Sequence, residues 1–262
     1  MSEYKVLFLD IDGTIITPDD SIEQSTIKAI RQVKEKGIEV FLATGRPLHE
    51  IRELAQELDV NSLIGYNGAF AIYQGKDLFQ EPMNKNSVEQ FIDIAKKNQH
   101  EFVLYTKDQN IFSDLKADCV KEFIEKFHLH KNHPLSSSID LEILGISLIN
   151  LKPKDTELYK FDTQIHLSQV NVEGMLHCYD VIRDRVNKGV GIHYVLKHLG
   201  LEKENAIAFG DGMNDREMLT NVGEGFAMGN GHPDLFQYAK HKTTAVGDSG
   251  IYNGLKKLGI VD

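Results

Sequence analysis

Short apolar runs alternate, over the first eighty residues, with stretches whose apolar positions recur every three or four residues. "YKVLFL" (4–9), "IEVFLA" (38–43) and "SLIG" (62–65) are nearly continuous, as strands covered on both faces require. Between the first two, "SIEQSTIKAIRQVKEKG" (21–37) places Ile27, Ile30 and Val33 on one face and ends at Gly37. Ser21 and Gln24 there have capping-box spacing, and the whole stretch predicts a helix. Pro47 predicts the start of a second helix running through Leu58, and "FAIYQGKDLFQ" (70–80) alternates about Gly75 like a hairpin. The far end repeats the style. A helical pattern covers 189–199, followed by the strand "AIAFG" (206–210), a helix from Asn214 with Glu217 in capping-box spacing, the strand "GFAM" (225–228), a helix opened by Pro233, and the helical "IYNGLKKLG" (251–259). Strands of this kind joined by helices form a parallel sheet.

Residues 82–185 read differently. Helical patterns near 87–98 and 118–127, a loop "HKNHPLSSS" (130–138), and strand-like "EILGISLIN", "TQIHLS" and "HCYDVI" predict an α+β insert. Phe91, Ile94, Phe123 and Phe127 form apolar helix faces suited to its core. The expected fold class is therefore α/β: a Rossmann-like parallel-sheet core in three α/β/α layers, residues 1–81 and 186–262, with an inserted α+β domain at 82–185.

Composition narrows the function. The chain has 262 residues, 41% of them hydrophobic, and a formal net charge of −10 that opposes attraction to nucleic acid or anionic lipid. Any anionic substrate must be held by local cations. Cys119 and Cys178 lie far apart and outside zinc-binding spacings, which fits a reducing compartment. No charged leader with an apolar segment opens the chain, and no apolar run nears the roughly 18 residues that span a bilayer, so the expected location is cytoplasmic. His128, His130 and His133 lack cysteine partners and read as a solvated loop. Gly189 and Gly191 lack the third glycine and preceding strand of a dinucleotide fingerprint, and read as close packing at a helix start. No feature speaks to oligomeric state.

In an open α/β sheet, ligands bind beyond the carboxyl ends of the strands. The residues there are chemically rich: Asp10 and Asp12 after the first strand, Thr44-Gly45-Arg46 after the second, Asn67-Gly68 after the third, and Asp211, Asn214 and Asp215 after "AIAFG". Lys188 begins the helix leading into that last strand. Carboxylates so crowded resist ionisation without a counter-ion, which predicts a divalent metal such as Mg²⁺. A carboxylate oxygen of Asp10 is then a nucleophile, and a phosphoryl group is the electrophile that suits Mg²⁺, Lys188, Thr44 and amide N–H groups. Asp12, two residues on, can protonate the leaving oxygen and later take a proton from water.

These motifs resemble the haloacid dehalogenase-like (HAD) phosphatases, and within them the Cof-type hydrolases, over nearly the whole chain. The resemblance rests on "DIDGT" (10–14), "TGR" (44–46), Lys188 in "VNKGVGI", "GDGMND" (210–215), "FAMGN" and "GIYNGLKKLG". It implies that Asp10 is the phosphorylated nucleophile and that Asp12 is the acid/base, whose main-chain carbonyl also binds Mg²⁺. It further implies that Asp211 completes the metal ligands, with Asp215 as an auxiliary ligand or one held just behind them. Thr44, the Gly45 amide, Lys188 and Asn214 would hold the phosphoryl oxygens. The insert would be an α/β cap that closes over the leaving group and chooses the substrate. Asp at position 12 is the phosphatase choice by this resemblance, since the dehalogenases lack it.

The expected function is Mg²⁺-dependent hydrolysis of a small phosphorylated metabolite, a sugar phosphate by resemblance. Two alternatives share the chemistry. One is a phosphomutase or phosphotransferase on sugar phosphates; the other is a non-enzymatic phospho-aspartate switch, although receivers of that kind are about half this length.

Overall fold

The computed structural model describes residues 4–136 and 141–262. The chain first lays down β1 (Val6–Leu9), α1 (Gln24–Glu35), β2 (Glu39–Ala43), α2 (Arg52–Glu57), β3 (Ser62–Gly65), β4 (Phe70–Tyr73) and β5 (Lys76–Gln80). The next stretch holds α3 (Lys85–Asn98), β6 (Glu101–Tyr105), β7 (Asn110–Phe112), α4 (Asp118–Lys126), β8 (Asn132–Pro134), β9 (Gly145–Ile149), β10 (Ile165–Gln169) and β11 (Tyr179–Arg183). It returns through α5 (Lys188–Leu199), β12 (Ala206–Gly210), α6 (Arg216–Thr220), β13 (Glu224–Ala227), β14 (His241–Lys242) and α7 (Gly250–Lys257). Two compact units result: one comprises the chain through Arg46, Ile51–Phe79 and Asn187–Asp262, and the other Pro47–Glu50 and Gln80–Val186.

The first unit is an eight-stranded sheet in the order β14-β13-β12-β1-β2-β3-β4-β5. All pairings from β14 to β3 are parallel, and β3 pairs antiparallel with β4. Alternation explains its layers. Val6, Phe8, Phe41 and Ala43 face a cluster that contains Ile192, Val195 and Leu196 of α5 and Met218 and Leu219 of α6. The alternate residues Leu7, Leu9, Val40 and Leu42 are equally buried on the other face. There Gly254 of α7 lies against Phe209 and Phe226, and α7 packs on α1. The three-layer α/β/α core is thus present, and it is a Rossmann-type α/β fold.

The second unit is a six-stranded sheet, β10-β11-β9-β6-β7-β8, antiparallel except for β7 with β8. Phe91, Ile92 and Ala95 of α3 cover one face with Phe102, Leu104 and Leu148, while Val120 and Phe123 of α4 cover the other with Val103 and Ile149. On that second face, the Tyr105 hydroxyl donates to Ser147 Oγ at 3.1 Å, and Ser147 Oγ donates to Asp180 Oδ1. Burial pushes the Asp180 carboxyl up, partly opposed by the Ser147 hydrogen bond. In the same unit, the short Pro47–Glu50 segment is held by Asn110: its Nδ2 donates to Glu50 Oε1 at 2.6 Å, and its Oδ1 meets His49 Nε2 at 2.9 Å. Because that oxygen can only accept, Nε2 is the protonated nitrogen of His49. The His130 amide also donates to Glu50, at 3.0 Å to each oxygen.

Several local expectations need correction. α1 starts at Gln24 with Glu23 as its N-cap, because the Ser21 hydroxyl is taken by Thr17 and Asp19. The helix expected from Pro47 is a 3₁₀ turn, Leu48–Glu50, followed by the separate α2, and the one opened by Pro233 is a 3₁₀ turn, Pro233–Gln237. The Asn214/Glu217 box does not form; Gly212 caps the turn Met213–Asp215, and its amide donates to the Asp215 carboxylate. β6 and β7 fall where no strand was expected, and β8 lies within the expected loop "HKNHPLSSS", whose Ser137 and Ser138 are outside the described residues.

Candidate active site

Parallel pairing brings the carboxyl ends of β1, β2, β3 and β12 to one rim, since Leu9 stands beside both Leu42 and Phe209. At its centre is Lys188, fully buried at the first position of α5. Its Nζ donates to Asp10 Oδ1 and, at 2.6 Å, to Asp215 Oδ1. Burial alone would lower the lysine pKa; Asp10 and Asp215 outweigh it and raise it, so the ammonium stays charged. The second oxygen of Asp215 accepts the amide hydrogens of Asp211 at 2.9 Å and Gly212 at 3.0 Å.

Asp10, Asp211 and Asp215 each offer a carboxylate oxygen, all within 4.8 Å of one another. Burial first, and then the charges of Asp215 and Asp211, push the Asp10 carboxyl well up against the pull of Lys188. Burial and Asp215 likewise push Asp211 up to about 6. Three acids against one ammonium leave excess negative charge in a water-poor place, and hard oxygen donors at this spacing fit Mg²⁺. Thr14 Oγ1 donates to Asp211 Oδ1 at 3.3 Å and orients it. Gly13, at φ +78, is required there: a Cβ would stand 2.4 Å from Asp211 Oδ2.

Asp12 is exposed at the rim, and both its oxygens are engaged by Arg46, Nε to Oδ2 at 2.9 Å and a terminal nitrogen to Oδ1. The Thr44 hydroxyl accepts the Arg46 amide at 3.0 Å, which makes a tight turn and leaves Gly45 exposed between them. After β3, three consecutive residues take left-handed backbone: Tyr66 (φ 54), Asn67 (φ 53) and Gly68 (φ 101). For the tyrosine this costs on the order of 1–3 kcal/mol, so the surroundings must enforce it. The Tyr66 amide donates to Arg46 O at 3.2 Å and the Asn67 amide to Thr44 O at 3.1 Å.

Every residue singled out from the sequence, Asp10, Asp12, Thr44, Gly45, Lys188, Asp211, Asn214 and Asp215, thus lies on this rim. Arg46 could pass for a surface cation, and only the fold gives it Asp12 as a partner. Asn67 and Thr14 were unassigned; the sequence signal for Asn67 was an Asn-Gly dipeptide that reads equally as a plain turn. His128, His130 and His133 are exposed, and among the described residues the group able to hold a metal through three such ligands is the aspartate trio. Cys119 and Cys178 are free thiols, and no helix among the described residues is long and apolar enough to cross a membrane.

A parallel α/β core carrying paired acids after its first strand and a buried lysine before its fourth parallel strand suits phosphoryl chemistry, and the comparisons supply the family. The sequence matches the haloacid dehalogenase-like hydrolase family over residues 7–255. YkrA of Bacillus subtilis (strain 168), which bears a phosphatase name, is 30% identical over 98% of each chain. The 5-amino-6-(5-phospho-D-ribitylamino)uracil phosphatase YitU of the same organism is 26% identical over 96% of each. A solved structure from Geobacillus kaustophilus HTA426 superposes with a TM-score of 0.91 at 28% identity, covering 98% of this chain and 100% of that one. The chain belongs to the haloacid dehalogenase-like hydrolases, as a phosphatase of that family.

Proposed function

We propose that this phosphatase is Mg²⁺-dependent, forms an aspartyl phosphate on Asp10, and hydrolyses a small phosphorylated metabolite of the sugar-phosphate kind. The observation that carries the reading is the buried Lys188 bridging Asp10 and Asp215, with three carboxylates close enough to share one cation. Asp10, Asp211 and Asp215, with the Asp12 main-chain carbonyl, would hold the ion. Bound there, Mg²⁺ would neutralise the carboxylates and polarise the phosphoryl group.

Lys188 holds one Asp10 oxygen, and the other attacks phosphorus. The bond from phosphorus to the leaving oxygen breaks as Asp12 supplies a proton to that oxygen. Asp12, now anionic, takes a proton from the water that attacks the aspartyl phosphate, and orthophosphate departs as Asp10 is freed. Thr44, the Gly45 amide, Lys188 and Asn214 bind phosphoryl oxygens through these steps. Arg46 occupies both Asp12 oxygens, so that pair opens before the leaving oxygen is met. The unit containing residues 80–186 acts as the substrate-selecting cap. YitU is named for a phosphorylated ribityl compound, which supports a polyhydroxylated leaving group here.

The test is release of orthophosphate from p-nitrophenyl phosphate and a panel of sugar monophosphates, with Mg²⁺ and with EDTA. Turnover that needs the metal and vanishes in Asp10→Asn is expected. Retained turnover in that variant, or indifference to EDTA, ends the reading; isomerisation of the sugar phosphate without phosphate release would identify the mutase instead.

A further inference from the structure

We infer that Asn67 is a positioning residue of the phosphoryl cradle, locking the Asn214 amide and the Gly45 turn into one donor array; the inference rests on the phosphatase reading above. Three observations converge. The carboxamide of Asn67 lies flat against Gly45: a Cβ there would meet Oδ1 at 3.1 Å and Nδ2 at 3.2 Å, so the absent side chain at 45 is the space Asn67 fills. Its Oδ1 accepts from Asn214 Nδ2 at 3.4 Å, across 147 residues of chain. Its backbone is left-handed, and its amide donates to Thr44 O, so side chain and main chain brace the same turn.

An amide NH₂ carries two hydrogens and can flip; an acceptor fixed on one of them sets the direction of the other. Asn67 Oδ1 does this for Asn214, and the remaining hydrogen is then available to a phosphoryl oxygen. The Gly45 N–H, in the same turn, makes no hydrogen bond to the protein among the described residues. Gly68 ties this assembly to Lys188: a Cβ at 68 would stand 2.2 Å from the carbonyl oxygen of Asn187, the residue that caps α5. Of the residues with side chains, asparagine is among those that adopt left-handed backbone most readily, so one residue meets both demands, conformation and acceptor.

Two variants separate this role from scaffolding. Asn67→Gly keeps the left-handed backbone and removes the carboxamide; Asn67→Asp keeps the acceptor and the shape but places a negative charge beside the phosphoryl oxygens. Inorganic phosphate binding to the Mg²⁺-loaded protein is read by calorimetry, with kcat and KM on p-nitrophenyl phosphate and the thermal midpoint alongside. Loss of a hydrogen-bonded position predicts phosphate binding weaker by roughly tenfold in Asn67→Gly. A larger loss is expected in Asn67→Asp, and both midpoints should stay within a degree or two of wild type. Phosphate affinity in Asn67→Gly equal to wild type overturns the inference, as does a loss matched by a fall in midpoint in both variants. A wild-type protein that binds phosphate but releases none from any phosphomonoester would instead sink the proposed function.

Discussion

Lys188 Nζ donates to one oxygen of Asp215 at 2.6 Å while the other oxygen of Asp215 takes the amide hydrogens of Asp211 and Gly212. One buried carboxylate thereby fixes the position of the ammonium and the course of the loop carrying the neighbouring acid.

Replacing the lysine should therefore harm fold and function together. Lys188→Met leaves Asp10 and Asp215 buried without their cation, a change that costs about 3–5 kcal/mol when one partner of a buried pair is removed. The expected outcome is a clearly lowered unfolding midpoint and phosphatase activity reduced by at least about 10²-fold, as for loss of a charge-stabilising group. A denaturant titration matching wild type would show that the pair does not sustain the site.

Metal should act on stability even without substrate. An ion that binds only the folded chain stabilises it by about 2.7 kcal/mol at one hundred times its dissociation constant. Scanning calorimetry should show the midpoint rise by several degrees on adding Mg²⁺, fall back with EDTA, and fail to respond in Asp211→Asn.

Leaving-group dependence reports on Asp12. Protonation matters most when the departing alkoxide is basic, so Asp12→Asn should lose at least about 10²-fold on a sugar phosphate and markedly less on p-nitrophenyl phosphate. Equal losses on the two substrates would remove Asp12 from the acid role.

Asp180, which belongs to the second unit, predicts a pH effect there. Burial raises its carboxyl pKa, and it forms no ion pair among the described residues, so the folded chain retains a proton that the unfolded chain has released. The native state binds more protons in that window, and stability falls as pH rises from the ordinary carboxyl range upward through the folded pKa. Asp180→Asn can still accept from Ser147. It should exceed wild type in urea midpoint at pH 7.5, with the advantage shrinking toward pH 4; a constant difference across that range would contradict the assignment.

Strands buried on both faces were legible because short apolar runs such as Val6–Leu9 or Ala206–Gly210, closed by Asp or Gly, are too brief for a helix, and β3 matches "SLIG" residue for residue. Caps were less so: Ser21 and Asn214 have the right spacing, but a hydroxyl or amide chooses among all nearby partners, and Thr17, Asp19 and Asn67 won. The insert was the harder part. β7 and β8 are three residues each and pair in parallel across twenty-odd residues, so no local period marks them. At the site, residue types revealed the acids, the lysine and the hydroxyl, since each follows or precedes a strong apolar run. The Arg46 grip on Asp12 and the wedge of Asn67 against Gly45 depend on the meeting of separate loops, which spacing does not encode.

Pro47–Glu50 belongs to the second unit, yet it follows Arg46 directly in the chain. Splicing Phe79 to Asn187 would delete Asn110 and His130 and remove the donors that these two residues supply to the Glu50 carboxylate. A minimal, insert-free version of this enzyme would therefore start with a damaged motif loop. Insert and loop must be inherited, exchanged or redesigned as a single cassette, and chimaeras that swap one without the other should be the ones that fail.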